Sequence, residues 1–476
     1  MVPCIKKTTL AAAVAFLAAS AAQAADLDRL RALLDATPAG GWVQANTGSF
    51  SSAFPTGSDA VNIQSYSDPG LIVGAWSSFA WNTDTASLML WGGGHANYAG
   101  NEMYIWNAAS GAWSRGSLPS KLSSSWFISD NSAPQSAHTY DNQLYLPVNK
   151  MFLTLGGAAF PSGGNFQAEV GGAVVRTGPW MFDPSRADPS KVGGSSGSGF
   201  DPATPGGNMW INRGTSYGGT LPQSFVEGST AYRGEGGRDV VYVEADAWQS
   251  GWPFLYRYTV GDVRKGETDT WELVGRNSYT GAAFQGAAAI DSRNNLFVRT
   301  AGGSWGHDLI VWDLSKASAA APVNNVTISL VDEAGAAFDL TKFYGLDYDS
   351  NLERFFVWDA NALGDVYSFA AEYDASGQLS STWTASRIAS ATAAHPDTPH
   401  SAGVLGKWQY VEELDAYLAL AAYEGGDAGV WLYKPFDVTT PVPELPVHWM
   451  LAIGLALLGA RHVRAPKARF AAPGVA

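Results

Sequence analysis

The chain has a single cysteine in 476 residues, Cys4, and it lies ahead of an apolar run expected to be removed. The mature body therefore has no route to disulfides, thiolate metal sites or a cysteine nucleophile. Basic residues are also scarce, with 29 Lys and Arg against 43 Asp and Glu. Setting aside six basic residues at the two ends, the body carries a charge near −20. A surface of that sign does not bind nucleic acid by counterion release, and it favours solubility. Charged residues of both signs make up only 15%, and no long amphipathic helical pattern follows residue 36. There is no Walker loop, no HExxH, no CxxC and no G-x-S-x-G elbow.

Both ends differ from the body. Lys6 and Lys7 precede a small-residue apolar run from Leu10 to Ala22, and Ala22-Gln23-Ala24 fits signal-peptidase cleavage. Residues 1–24 are therefore expected to be a secretory signal and 25–39 a lead-in. At the other end, residues 437–446 form a proline-rich linker and 447–476 an apolar segment with a basic tail. The apolar run is shorter than the roughly 20 residues of a comfortable membrane span. Val442-Pro443-Glu444, the apolar stretch, then Arg461 and Arg464 resemble a PEP-CTERM sorting tail. That resemblance implies an exported protein at the surface of a Gram-negative bacterium, processed by exosortase-type machinery after transient contact with the inner membrane. Leu445, where the family usually has proline, and the twelve residues after Arg464 depart from the pattern.

The body is rich in glycine, 53 residues, and 12% of the chain is aromatic, which reads as all-β with many turns. Six segments repeat one plan: an apolar or aromatic anchor, a polar turn and a second apolar cluster. The anchors are Trp81, Tyr145, Tyr232, Ile290, Tyr348 and Tyr410, and their partners are Leu88, Phe152, Val241, Phe297, Phe355 and Tyr417. Each is expected to be a β-hairpin. The partners are 64, 89, 56, 58 and 62 residues apart. The long interval holds a Gly/Ser/Pro-rich insertion at 183–207 without apolar periodicity.

Two further strands follow each hairpin. The third reads MYIW (103–106), PWMF (179–182), FLYRY (254–258), LIVW (309–312), VYSF (366–369) and VWLY (430–433). The fourth carries Trp113, Trp210, Trp271 or Trp383, with VTISLV in the fourth repeat. The sixth repeat lacks a fourth strand, and GGWVQANTG around Trp42 has that form. The expectation is one β-propeller over 40–436, of six four-stranded blades, with seven possible if 44–75 hides a unit. The N-terminal strand completes the last blade and removes exposed sheet edges. Double glycines after second strands (Gly92-Gly93, Gly156-Gly157, Gly302-Gly303) with later aromatics resemble kelch repeats and the galactose-oxidase-like central domain. The copper-radical chemistry of that group needs a cysteine crosslinked to tyrosine, which the mature chain lacks.

In such blades, the connections between second and third strands and the segments leading into first strands share one face. His95 and His307 lie in the former, His138 and His400 in the latter. Asn97, Tyr98, Asn101 and Glu102 ride with His95, and Trp305 with His307. A propeller face lined this way suits a sugar, with rings for its apolar side and polar groups for its hydroxyls. His95, Asn97, Tyr98, His138, Trp305, His307 and His400 are the ligand-binding candidates, with neither metal nor cofactor expected. Two functions are open: a non-catalytic binder of an extracellular polysaccharide or matrix protein, or a polysaccharide lyase or hydrolase. In a lyase, His95, His138, His307 or His400 would act as base or acid, Tyr98 would assist, and Arg299 would neutralise a uronate. For His95 alone, orienting the Gly92–Gly94 turn is an alternative role. The acids in WNTDT, DSRNN and DSNLE fall on the opposite face, where they are expected to form turns.

Overall fold

The structure is a computed structural model that describes residues 26–60, 68–199, 206–246, 253–278, 285–300, 308–338, 344–359, 363–424 and 427–435. The signal segment, the sorting tail, Trp305 and His307 lie outside the described residues. All six expected hairpins form, and each anchor faces its partner directly. Trp81 pairs with Leu88, Tyr145 with Phe152, Tyr232 with Val241, Ile290 with Phe297, Tyr348 with Phe355 and Tyr410 with Tyr417.

The strands build one six-bladed β-propeller. From inside outward, blade I comprises Phe79–Asn82, Ser87–Leu90, Tyr104–Asn107 and Ala112–Arg115. Blade II comprises Gln143–Leu146, Met151–Thr154, Trp180–Phe182 and Trp210–Asn212, and blade III Ser229–Glu235, Arg238–Ala245, Phe254–Thr259 and Asp269–Arg276. Blade IV comprises Ala288–Asp291, Leu296–Thr300, Asp308–Asp313 and Val326–Val331, and blade V Gly345–Asp349, Arg354–Trp358, Val366–Phe369 and Ser386–Ile388. Blade VI takes Trp408–Val411, Ala416–Glu424 and Asp427–Lys434 from the end of the body, and Gly41–Gln44 from its start.

That last pairing closes the ring. Trp42 sits opposite Tyr433 and Gln44 opposite Trp431. The Trp42 indole is 2% exposed and packs on Tyr433, Trp358 and Trp408 with ring centroids 5.0, 5.4 and 5.6 Å away. Its Nε1–H donates to the Gly364 carbonyl at 2.7 Å.

Each of the six junctions between neighbouring blades has its own apolar cluster. Successive residues of a strand point to opposite faces, so one strand feeds two junctions. In blade III, Val241 and Val243 pack toward blade II while Val240 and Tyr242 pack toward blade IV. Burial on both faces explains why second strands such as Arg238–Ala245 carry an unbroken apolar run, here Val240 to Val243.

Three features differ from the sequence reading. Trp383 does not belong to blade V: Thr382–Thr384 runs parallel to Val326–Val331 and extends blade IV, while polar Ser386–Ile388 supplies the fourth strand of blade V. The 183–207 insertion is anchored through Val192, which is fully buried and bridges to Leu118. An exposed hairpin, Gln167–Val170 with Ala173–Arg176, rises from blade II at the Gly171-Gly172 turn. Within the described part of 44–75 there are only 3-10 turns and the single helical turn Gly70–Val73, so the blade count is six. Residues 26–35 are helical and seal the VI–I junction with Leu27, Leu30 and Leu34.

Candidate functional site

The glycines of LWGGGHANYAG bring two blades into contact. Gly93 N–H donates to the Ala137 carbonyl at 3.1 Å, and Gly94 N–H to Ser136 Oγ at 3.0 Å. A Cβ on Gly94 would lie 2.1 Å from Ala137 Cα, so only glycine permits this approach. The loop then turns through His95, which is exposed and held at φ +22°. Its ring meets the His138 ring edge-on, with centroids 5.4 Å apart.

His138 is 3% exposed, flanked by Trp76 at 4.9 Å and by Tyr140 at 6.2 Å between ring centroids. Its Nε2 has no hydrogen-bond partner among the described residues. Burial, followed by the neighbouring His95 and Lys407, pushes the imidazole down to about 3, so it is neutral at physiological pH. Burial likewise holds the Tyr140 phenol well above its ordinary range, with Glu227 adding to the shift.

The segments leading into the innermost strands share a backbone device. Tyr140, Glu227, Gln285 and Leu405 have φ of +49°, +63°, +56° and +53°, just ahead of the first strands of blades II, III, IV and VI. Left-handed backbone at bulky residues stores strain and clusters at functional sites. Here it turns side chains across the mouth of the central channel. Trp76 Nε1–H donates to Gln285 Oε1 at 2.9 Å, and Gln285 Nε2–H to Glu227 Oε1 at 2.9 Å. Tyr140 packs with Val226, Leu405 and Trp76. The histidine pair therefore sits beside a bridged channel mouth.

Beneath this face lies Lys407, fully buried, its ammonium donating to the carbonyls of Ser77 at 2.9 Å and Ala75 at 3.4 Å. Burial draws its ionisation down to about 7. His400 is also buried; its Nε2–H donates to the Leu420 carbonyl at 3.0 Å and its ring meets Trp358 edge-on at 5.5 Å. Burial, then the charge of Lys407, keeps it neutral.

Among the other sequence candidates, Tyr98, Asn101 and Arg299 are committed to different partners. Tyr98 is 1% exposed, and its hydroxyl is committed to Glu102, a carboxylate shared with Tyr104. Burial raises the Glu102 carboxyl, and its two tyrosine hydroxyls partly offset that. Asn101 ties Pro134 to Ser120. Arg299 is fully buried against Glu244 at 2.9 Å and also donates to Ser229 Oγ and the Glu227 carbonyl. It is thereby engaged within the protein rather than presented to a uronate. Asn97 is half-buried on the His95 loop, its N–H donating to the Gly94 carbonyl at 2.8 Å.

Sequence reasoning missed Trp76, Tyr140, Gln285, Glu227 and Lys407. The central channel holds a cavity of about 530 Å³ lined by first-strand residues including Trp81, Tyr145, Tyr232 and Asp347, with Asp141 just ahead of its strand. Burial pushes the Asp347 carboxyl up to about 7, although Tyr410 and Tyr348 N–H groups donate to it at 2.7 and 2.8 Å. Asn82, Asp291 and Asp349 accept backbone N–H bonds from the turns that follow them. Among the described residues, no group of three or more His, Cys, Asp or Glu could hold a metal ion.

No protein-family model matches this chain, and no curated protein does. Solved structures similar to it include a Dos1 propeller, at 9% identity over 84% of this chain and 96% of that one, with a TM-score of 0.34. The β-propeller domain of the trilobed protease from Pyrococcus furiosus aligns at 10% identity over 77% of this chain and 82% of that one, TM-score 0.25. Hydrazine synthase from Kuenenia stuttgartiensis aligns at 8% identity over 75% and 95%, TM-score 0.36. Similarity at this level concerns architecture and carries no activity across.

Proposed function

We propose that the protein is an exported, cell-surface, kelch-like propeller that binds an extracellular polysaccharide without turning it over. The observation that carries this reading is the set formed by exposed His95, buried His138 with its unpartnered Nε2, Trp76 and Tyr140. His138 and Tyr140 stay uncharged at physiological pH. Neutral donors and acceptors beside aromatic rings suit sugar hydroxyls and sugar faces. The same neutrality argues against a lyase. A proton-abstracting base works best with a pKa near the operating pH, and His138 is far below it. Arg299, the natural neutraliser of a uronate, is paired with Glu244. Export and surface sorting rest on the signal-like and PEP-CTERM-like ends.

The test is to pass the purified full chain over immobilised neutral and acidic polysaccharides while following unsaturated-uronate absorbance in solution. Retention without product is expected, with loss of retention in His95→Ala. Product formation abolished by His95→Ala would replace the binder with an enzyme, and failure to retain any polymer would remove the reading.

A further inference from the structure

We propose that this site selects an acidic polysaccharide, whose anionic substituent docks on His138 and His95 beside the buried ammonium of Lys407. The inference rests on the carbohydrate-binding reading and adds the ligand's charge to it.

Lys407 is fully buried at the junction between blades VI and I, and its hydrogen-bond partners among the described residues are carbonyls rather than carboxylates. Its two acceptors are the carbonyls of Ala75 and Ser77. Ala75 and Ser77 flank Trp76, whose ring lies 4.9 Å from that of His138, and the imidazoles of His138 and His400 both feel the lysine's charge. His400 is satisfied by the Leu420 carbonyl, whereas His138 Nε2 has no partner. Two carboxylates stand near this strand: Asp347, which accepts the Tyr410 N–H at 2.7 Å and lines the channel, and Asp141, which faces Gly406 closely enough that a Cβ there would lie 2.5 Å from its Oδ1. Asp141 takes the Ala288 N–H at 2.9 Å and belongs to the channel side. Across the mouth, Glu227 is bonded to Gln285, and Arg299 neutralises Glu244.

A buried ammonium without a counter-charge is costly, and an arriving anion recovers part of that cost in a medium where charges interact strongly. A neutral hydroxyl can satisfy His138 Nε2 but offers Lys407 nothing. A carboxylate or sulfate does both: it accepts from the His138 Nε2–H and favours the protonated lysine. Binding should therefore draw a proton onto Lys407, whose ionisation lies near 7 in the free protein.

The experiment measures affinity of the full chain for polygalacturonate, dextran sulfate and neutral dextran between pH 6 and 8. Expected are a preference for an acidic polymer, affinity about tenfold weaker at pH 8 than at pH 6, the fall-off for a lysine titrating near 7, and loss of that preference in Lys407→Met. Calorimetry of the unaltered chain in two buffers of different ionisation heat supplies a readout independent of the variant's folding, and should show proton uptake. Retention of polygalacturonate alone identifies a carboxylate as the substituent, and of dextran sulfate alone a sulfate ester. Equal retention of dextran, or binding without proton uptake, overturns the inference and leaves the carbohydrate-binding reading standing. Retention of no polymer removes both.

Discussion

Replacing Trp42 by alanine tests whether the propeller is held shut by its clasp. A tryptophan buries up to roughly 250 Å², and Trp42 is 2% exposed. At about 25 cal/mol per Å² its transfer contribution is at most around 6 kcal/mol, a little above the roughly 3–5 kcal/mol measured for large-to-small aromatic truncations. The variant also removes the donor to the Gly364 carbonyl, adding about 1 kcal/mol. A loss of about 4–6 kcal/mol is therefore expected, a large share of the roughly 5–15 kcal/mol that stabilises a folded domain. Urea unfolding followed by circular dichroism would measure it, with Trp42→Phe as control. Phenylalanine keeps a ring against Tyr433, Trp358 and Trp408 and should recover more than half of the loss. An unfolding midpoint for Trp42→Ala unchanged from the parent chain would show that the ring does not depend on this strand, and the account of closure would fail.

Three further outcomes follow from other sites. His138→Phe should leave stability unchanged or raise it, because it removes a buried nitrogen without a partner, yet abolish polymer retention; denaturation and retention measured side by side check both. Arg213→Met should destabilise by about 3–5 kcal/mol, since Asp269 then keeps a buried charge without the guanidinium that meets it at 2.6 Å; the urea midpoint reports it. Asp347 has a folded-state ionisation raised to about 7, so its contribution is fully present below the ordinary carboxylate range and disappears as the pH rises to that value. Unfolding midpoints of the parent should carry this downward slope between about pH 4 and 7, and Asp347→Asn should remove it.

The fold was legible because each hairpin repeats a physical pattern, an anchor opposite its partner across a short polar turn. The Trp42 strand could be assigned because it completes an otherwise unfinished blade. Trp383 was misassigned since the real fourth strand of blade V, Ser386–Ile388, is polar and has no apolar signature, while the tryptophan serves the neighbouring blade. The exposed hairpin was passed over although Val170, Val174 and Val175 flank a Gly-Gly turn. At the site, shared-face reasoning put His95 and His138 on one face with His307 and His400; that the rings of the first two meet is a finding of the structure. Such reasoning could not foresee that Arg299 meets Glu244 from the next blade, or that Tyr98 is taken by Glu102. Lys407 drew no notice in the sequence, because burial without a counter-charge leaves no trace there. Trp76, Gln285 and Glu227 are joined only by the channel mouth, which exists after the ring has closed.

The latch also sets an order of events during synthesis. Asn46, just past the clasp strand, receives the Val430 N–H across 384 positions of chain, so the earliest β-segment must wait for almost the last. Until then the nascent molecule is an unfinished crescent with a bare flank at each tip. Any helper that shelters those flanks, or any delay in making the final stretch, therefore governs how much of the population escapes sticking to its neighbours.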